Sequence, residues 1–276
     1  MNLPDTPTLL TRIDRGTLHV SINRPEARNA MNEQVLVDLV AVFTHLACRD
    51  DLRAVVLRGV GGNFCAGGDI KDFARVRQRP DEPGSDPIAA FNRRFGEMLE
   101  LVNTAPQATI AVTEGAVLGG GFGLACVADV TITHKDASFG MPETGLGILP
   151  AQIAPFVVER IGISQARRLG VCGARFDGTE AVRLGLAHFS ETDNAAIEAR
   201  LASTLGQIMR CAPKAIAETK RIMLAVGKKP LSEVLDEAAA HFSLALSGDE
   251  AAEGTRAFIE KRLPAWAMEY AQGSSA

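Results

Sequence analysis

The sequence predicts an α/β domain followed by a helical tail. Three observations carry this reading. Through about residue 193, short apolar runs of strand character alternate with segments of helical period, glycine-rich turns follow several of the runs, and from about residue 194 the helical period continues alone. The division expected is therefore an α/β body over 1–193 and a helical region over 194–276.

Thr17 to Ile22 alternates as a strand, and Asn23-Arg24-Pro25-Glu26 turns the chain. Asn32 is a fitting N-cap for a helix whose apolar positions Leu36, Leu39, Val40, Phe43 and Leu46 recur at helical spacing. Ala54-Val55-Val56-Leu57 reads as a buried strand running into Gly59-Val60-Gly61-Gly62. The polar, proline-bearing stretch from Arg75 to Pro87 reads as a mobile loop or lid. Helical periodicity returns over Ala90 to Val102, then Ile110-Ala111-Val112 is a strand, Gly121 to Ala128 a short helix, and Val130 to Thr133 another strand. Ala151 to Ile161, Ser164 to Val171 and Gly178 to Gly185 follow as helices.

The tail holds Ala195 to Arg210, Pro213 to Val226 with proline in its first turn, Leu231 to Ser247, and Asp249 to Arg262. A helical region without a strand must cover its apolar faces with the body or with another subunit, so oligomerisation is expected.

A chain of 276 residues, 46% hydrophobic and 22% charged, supports a substantial core. The net charge of −4 lacks the basic surface that a nucleic-acid partner demands. The first residues, Met1-Asn2-Leu3-Pro4-Asp5-Thr6, carry no secretory pattern, and the run from Ala108 to Val117 is short and interrupted by Thr109, Thr113 and Glu114. No membrane partner is expected, and the cytoplasm is the expected compartment. Cys48, Cys65, Cys126, Cys172 and Cys211 are odd in number, dispersed and never paired as C-x-x-C, which argues against a disulfide framework and a zinc site. They are read as reduced, mostly buried thiols.

The glycine-rich turns invite a nucleotide reading, but the dinucleotide spacing fails at Leu124 and no P-loop string occurs. No G-x-S-x-G or H-E-x-x-H string is present, and His19, His45, His134, His188 and His241 have no ligand spacing. What remains is Ala66-Gly67-Gly68, with little side-chain bulk, and Gly119-Gly120-Gly121, which runs directly into a helix and lies at its positive end. Two such turns can each aim an amide at one oxygen. A thioester losing or gaining an α-proton places negative charge on its carbonyl oxygen, and losing one such donor costs about 3 kcal/mol of transition-state stabilisation. The alternative is that both are ordinary strand-to-helix turns.

Phe64-Cys65-Ala66-Gly67-Gly68-Asp69-Ile70, then Gly115 to Gly121, then Phe139-Gly140-Met141-Pro142-Glu143 and Gly145-Leu146-Gly147, resemble the successive motifs of the crotonase (enoyl-CoA hydratase/isomerase) superfamily. Arg24-Pro25-Glu26-Ala27-Arg28-Asn29-Ala30-Met31 and Phe258-Ile259-Glu260-Lys261-Arg262 extend the resemblance over nearly the whole chain, in the family's order. It implies a spiral of ββα units with a helical trimerisation tail, assembled as a trimer or a dimer of trimers. It also implies that the amides of Ala66 and Gly120 form an oxyanion hole, that Arg28, Ala66, Asp69 and Ile70 border a CoA groove, that Met141 lies on the substrate side, and that Lys261 reaches CoA phosphates of an adjacent subunit. Lys261 reads equally as a solvated lysine beside Glu260. No metal and no separate cofactor is implied, since CoA enters as part of the acyl-CoA substrate.

Hydratases of the family use two glutamates, one following the triple glycine by two positions and one in the Pro-Glu motif. Here the first position is Gly123 and the second is Glu143. One carboxylate can take a proton from water and deliver one to the α-carbon, and a Δ3,Δ2-enoyl-CoA isomerase needs only to carry one proton between carbons. Counting carboxylates thus favours the isomerase, while the wording from Gly119 to Leu124 and from Pro142 to Phe156 resembles hydratases of branched glutaconyl-CoA thioesters, the isohexenylglutaconyl-CoA type of acyclic terpene breakdown first and the 3-methylglutaconyl-CoA type of leucine breakdown second. A non-catalytic CoA- or RNA-binding member is a third reading. Such glutaconyl substrates carry a free carboxylate, for which Arg75, Arg77 and Arg79 are candidate partners. Gly123 is expected to leave room for a branched acyl chain. Asp69 is expected to accept nearby hydrogen bonds structurally, and Cys65 to be a small buried residue.

Overall fold

The computed structural model describes residues 3–78 and 86–272. Its main sheet has six strands, β1 (Leu9–Asp14), β2 (Thr17–Ile22), β3 (Ala54–Gly59), β4 (Ala108–Thr113), β6 (Val130–His134) and β9 (Phe189–Glu191), in the order β1-β2-β3-β4-β6-β9. Only β1 and β2 are antiparallel; every later neighbour pairs in parallel through a helical crossover. A second sheet holds β5 (Ala116–Leu118), β7 (Ser138–Gly140) and β8 (Arg175–Phe176).

The period-2 alternation of β3 separates two cores. Val55 and Leu57 face the larger, which collects α1 (Glu33–Leu46), α3 (Pro87–Asn103), α4 (Gly120–Val127) and α5 (Ala154–Cys172). Ala54 and Val56 face the smaller, closed by Ile197, Leu201 and Leu205 of α7 (Asn194–Ile208). The helical region drawn from residue 194 therefore opens with a helix that packs on the sheet. Asn32 caps α1 by accepting the Val35 amide at 3.0 Å, as its position before the apolar repeat predicts.

The stretch read as a loop over Arg75 to Pro87 is partly helical: α2 (Ile70–Val76) runs into it, and Asp86 caps α3 by accepting the amides of Ile88 and Ala89. Residues 79–85, Arg79 among them, lie outside the described residues. The two helices expected between Ala151 and Val171 are the two segments of α5, which break at Gly162, whose φ of +75° and ψ of 154° are not helical. After the short α6 (Gly178–Arg183), β9 and α7, the chain forms α8 (Pro213–Ala225), α9 (Leu231–Leu246), α10 (Asp249–Ile259) and α11 (Ala265–Gln272). Among these, α8 buries no residue, α9 only Val234 and α10 only Ala257, while Phe242, Leu244, Phe258 and Ile259 are exposed. No described helix is long and apolar enough to cross a membrane. All five cysteines are free, but only Cys65 and Cys126 are buried; Cys48, Cys172 and Cys211 are exposed, which corrects the expectation that most lie inside.

Candidate active site

The segment before the first glycine turn runs beside β5, because Cys65 donates to the Ala116 carbonyl and the Leu118 amide donates to that of Cys65, both at 2.9 Å. This brings the two glycine turns into contact. A Cβ at Gly67 would lie 3.2 Å from the Leu118 carbonyl oxygen, and one at Gly119 would lie 3.6 Å from the Gly67 Cα. The Gly119 amide in turn donates to the Gly140 carbonyl at 2.9 Å, which ties the second turn to the end of β7. From there the chain passes Met141 into a 3₁₀ turn over Pro142–Leu146 whose start carries Glu143. Gly119 has φ +48°, which disfavours a side chain, and a Cβ there would stand 2.6 Å from Glu143 Oε1 and displace that carboxylate.

Between the turns, α2, α3 and the segment 148–153 lies a cavity of about 480 Å³. Gly68, Gly120 and Glu143 line it, together with apolar side chains that include Phe73, Phe91, Phe95 and Ile153; its other polar lining residues are Arg77, Asn92 and Gln152. Glu143 Oε2 is buried with no hydrogen-bond partner among the described residues. Burial pushes the Glu143 carboxyl above its ordinary range, against one backbone hydrogen bond. Neither the Gly68 nor the Gly120 amide has a main-chain acceptor among the described residues, and Gly120 opens α4, where the helix dipole is positive. Two unengaged donors and a poised carboxyl group thus face one apolar chamber, a set suited to holding an oxyanion while moving a proton beside it.

The structure redistributes several expected roles. The Ala66 amide donates to the Arg28 carbonyl at 3.1 Å and does not line the cavity, so the amide partnering Gly120 belongs to Gly68, two residues on. Gly123 does not line the cavity either: a Cβ there would lie 2.3 Å from Ile153 Cγ2, so the room expected for a branched acyl chain is already filled. Met141 is 2% exposed within the larger core, away from the cavity lining. Arg28 is exposed, in left-handed conformation, and Ile70 is exposed at the start of α2. Lys261 is exposed just beyond α10, also left-handed, and does not line the cavity.

Asp69 caps α2 by accepting the Lys71 amide at 3.0 Å and pairs with Arg24 at 3.0 Å. Burial pushes its carboxyl up, but the Arg24 hydrogen bond and the Lys71 amide outweigh burial and hold it below the usual range. Burial pushes the Cys65 thiol up to about 12, which leaves it protonated and inert. Of the candidate arginines, Arg75 pairs with Asp72 at 2.8 Å, whereas Arg77 lines the cavity.

Sequence reasoning missed Phe73 and Phe95. A Cβ at Gly68 would lie 2.5 Å from the Phe73 ring and one at Gly120 would lie 2.7 Å from the Phe95 ring, so two phenyl groups roof the two turns. It missed Asn92, Gln152 and Ile153 as well, because nothing in their local spacing marks them as neighbours. Gly68 carried a usable signal, being the last residue before a capping aspartate.

A family model described as enoyl-CoA hydratase/isomerase matches residues 12–269. The chain belongs to the enoyl-CoA hydratase/isomerase family. Its relatives include several named as enoyl-CoA hydratases, and it is an enzyme of that family acting on acyl-CoA thioesters. It is 34% identical over 260 residues to a probable enoyl-CoA hydratase, echA8, of Mycobacterium tuberculosis, covering 93% of this chain and 96% of that one. An enoyl-CoA isomerase/hydratase, fer4, of Mycosarcoma maydis is 31% identical, with 95% and 94% covered. Among solved structures, Pseudomonas aeruginosa AtuE superposes with a TM-score of 0.91 at 54% identity, covering 94% of this chain and 99% of that one. An enoyl-CoA hydratase/isomerase from Marinobacter aquaeolei gives 0.92 at 49% identity over the same shares. The crotonase fold expected from the motifs is thereby shown.

Proposed function

We propose that this chain hydrates the α,β double bond of a branched glutaconyl-CoA thioester of the isohexenylglutaconyl type, with Glu143 as its single acid and base. The observation that carries the reading is Glu143, whose buried Oε2 has no partner among the described residues, lining the same cavity as Gly68 and Gly120, whose amides have no main-chain acceptor there. As a carboxylate, Glu143 takes a proton from water while the water oxygen bonds to the β-carbon. The π electrons of the double bond move onto the thioester oxygen, where the two amides hold the enolate. The enolate then collapses and its α-carbon takes the proton from Glu143, which restores the carboxylate, so both new bonds form on one face.

The apolar, aromatic lining suits a branched hydrocarbon arm, and the motif resemblance around Glu143 supports the glutaconyl class. CoA would run past Arg28, Asp69 and Ile70, outside the cavity. The exposed apolar faces of α8 to α10 support assembly as a trimer or a dimer of trimers, within which Lys261 would face a neighbouring subunit's CoA. We place the chain in the cytoplasm.

One observation favours a second reading. Ile153 fills the site of the family's first glutamate, and proton shuttling by Glu143 alone suffices for Δ3,Δ2-enoyl-CoA isomerisation. Assay of 3-methylglutaconyl-CoA and of a 3-enoyl-CoA separates the two: water addition to the former, abolished by Glu143→Gln, supports the hydratase, and double-bond migration alone selects the isomerase. Retained activity of Glu143→Gln on either substrate overturns both.

A further inference from the structure

The middle of α3 carries a glycine that the reaction does not explain. Gly96 is buried in a helix interior, where glycine costs about 1 kcal/mol relative to alanine. A Cβ at this position would stand 2.1 Å from Gln152 Oε1, so the missing side chain is what seats Gln152 against the helix. Gln152 in turn donates through Nε2 to Asn92 Oδ1 at 2.8 Å. That bond occupies the acceptor end of the Asn92 carboxamide and leaves its Nδ2 hydrogens as the end free to donate. Both side chains line the catalytic cavity, whose one basic lining residue among those described is Arg77, at the end of α2. A purely hydrocarbon acyl chain would leave these donors without an acceptor in a chamber that is otherwise apolar.

The spacing gives the ligand's dimensions. Phe95 roofs the Gly120 turn, where the thioester oxygen would sit, and Asn92 is one turn earlier on the same helix, about 4.5 Å along its axis at 1.5 Å per residue. In a glutaconyl thioester the carbonyl carbon and the free carboxylate carbon are four carbon–carbon bonds apart, about 5 Å when extended at roughly 1.5 Å per bond.

We infer that Asn92, oriented by Gln152 in the space left by Gly96, donates to the free carboxylate of the acyl chain, with Arg77 supplying the opposing charge. The inference rests on the glutaconyl reading of the proposed function. It makes Asn92 and Arg77 specificity-determining residues and Gln152 a positioning residue, and it assigns none of them to the proton transfers.

The test compares kcat/KM for 3-methylglutaconyl-CoA, for 3-methylcrotonyl-CoA, which lacks the carboxylate, and for the analogue whose carboxylate is a carboxamide. Asn92→Leu is expected to lower the preference for the carboxylated over the uncarboxylated substrate at least tenfold, expressed mainly in KM. Gln152→Leu and Arg77→Met are expected to act in the same direction. Asn92→Asp is expected to reverse the preference toward the carboxamide analogue, because a carboxylate side chain accepts where asparagine donates; a merely structural role would not produce that reversal. A wild-type protein that ignores 3-methylglutaconyl-CoA would sink the glutaconyl reading itself. Wild-type turnover of that substrate with its preference unmoved in folded Asn92→Leu and Asn92→Asp, checked by circular dichroism, would overturn the inference alone.

Discussion

Position 123, walled off from the cavity by Ile153, and position 143, which lines it, differ in what their surroundings admit. At Gly123 the wall is solid, with Ile153 Cγ2 where a side chain would begin and Leu99 Cδ1 3.5 Å away. At Glu143 it is open: the residue lines the chamber, and its buried Oε2 has no hydrogen-bond partner among the described residues. The contrast teaches that glycine at position 123 leaves no open space for a ligand. Hydrocarbon occupies the space beside position 123, and Glu143 is the one carboxylate lining the cavity among the described residues.

The largest effect should come from the open position. Glu143→Gln keeps the shape and removes the proton carrier, and should lower kcat about 10³-fold, measured at saturating substrate. Filling the closed position should cost folding instead of chemistry. Gly123→Glu forces a charged chain against Ile153 and should destabilise by about 3 kcal/mol in denaturant unfolding, with part of the loss recovered in the double variant with Ile153→Ala. A double variant no more stable than Gly123→Glu alone would break the contrast.

The amides of the first glycine turn sharpen it further. Gly68→Pro removes the donor of a residue that lines the cavity, while also displacing the Phe73 ring, and should lower kcat at least about 10²-fold, whereas Ala66→Pro removes the bond to the Arg28 carbonyl and should cost about 1 kcal/mol of stability.

The smallest effect is in pH. Burial raises the Glu143 carboxyl above 4.5, so hydration should fade on acidification at a pH higher than an ordinary glutamate would give. In stability the sign is opposite: the folded state holds this proton more tightly than the unfolded state, so the group's contribution is lost as pH rises through the raised value. Glu143→Gln should therefore raise the melting temperature at pH 8, with the gain vanishing toward pH 4.

Much of the frame was legible because it rests on local periodicity. The alternation of Thr17 to Ile22, the capped repeat after Asn32 and the proline-led α8 all lie where spacing placed them. The short strands β5, β7 and β8 were not, since two or three residues carry no period and owe their form to neighbours distant in sequence. The site was legible as two glycine turns and one glutamate. The choice between Ala66 and Gly68 was not, because it depends on which amide the Arg28 carbonyl captures across the gap between two loops. The filling of Gly123 was equally hidden, for Ile153 is thirty residues away and reaches it only through the packing of α5 on α4.

The central claim is water addition by a single carboxylate, and isotopic water tests it most directly. With 3-methylglutaconyl-CoA in ¹⁸O-water, the wild-type product should carry the label at the β-carbon, and Glu143→Gln should yield no labelled product. Label incorporated equally by the variant, or a shifted double bond without label in the wild type, would contradict the account.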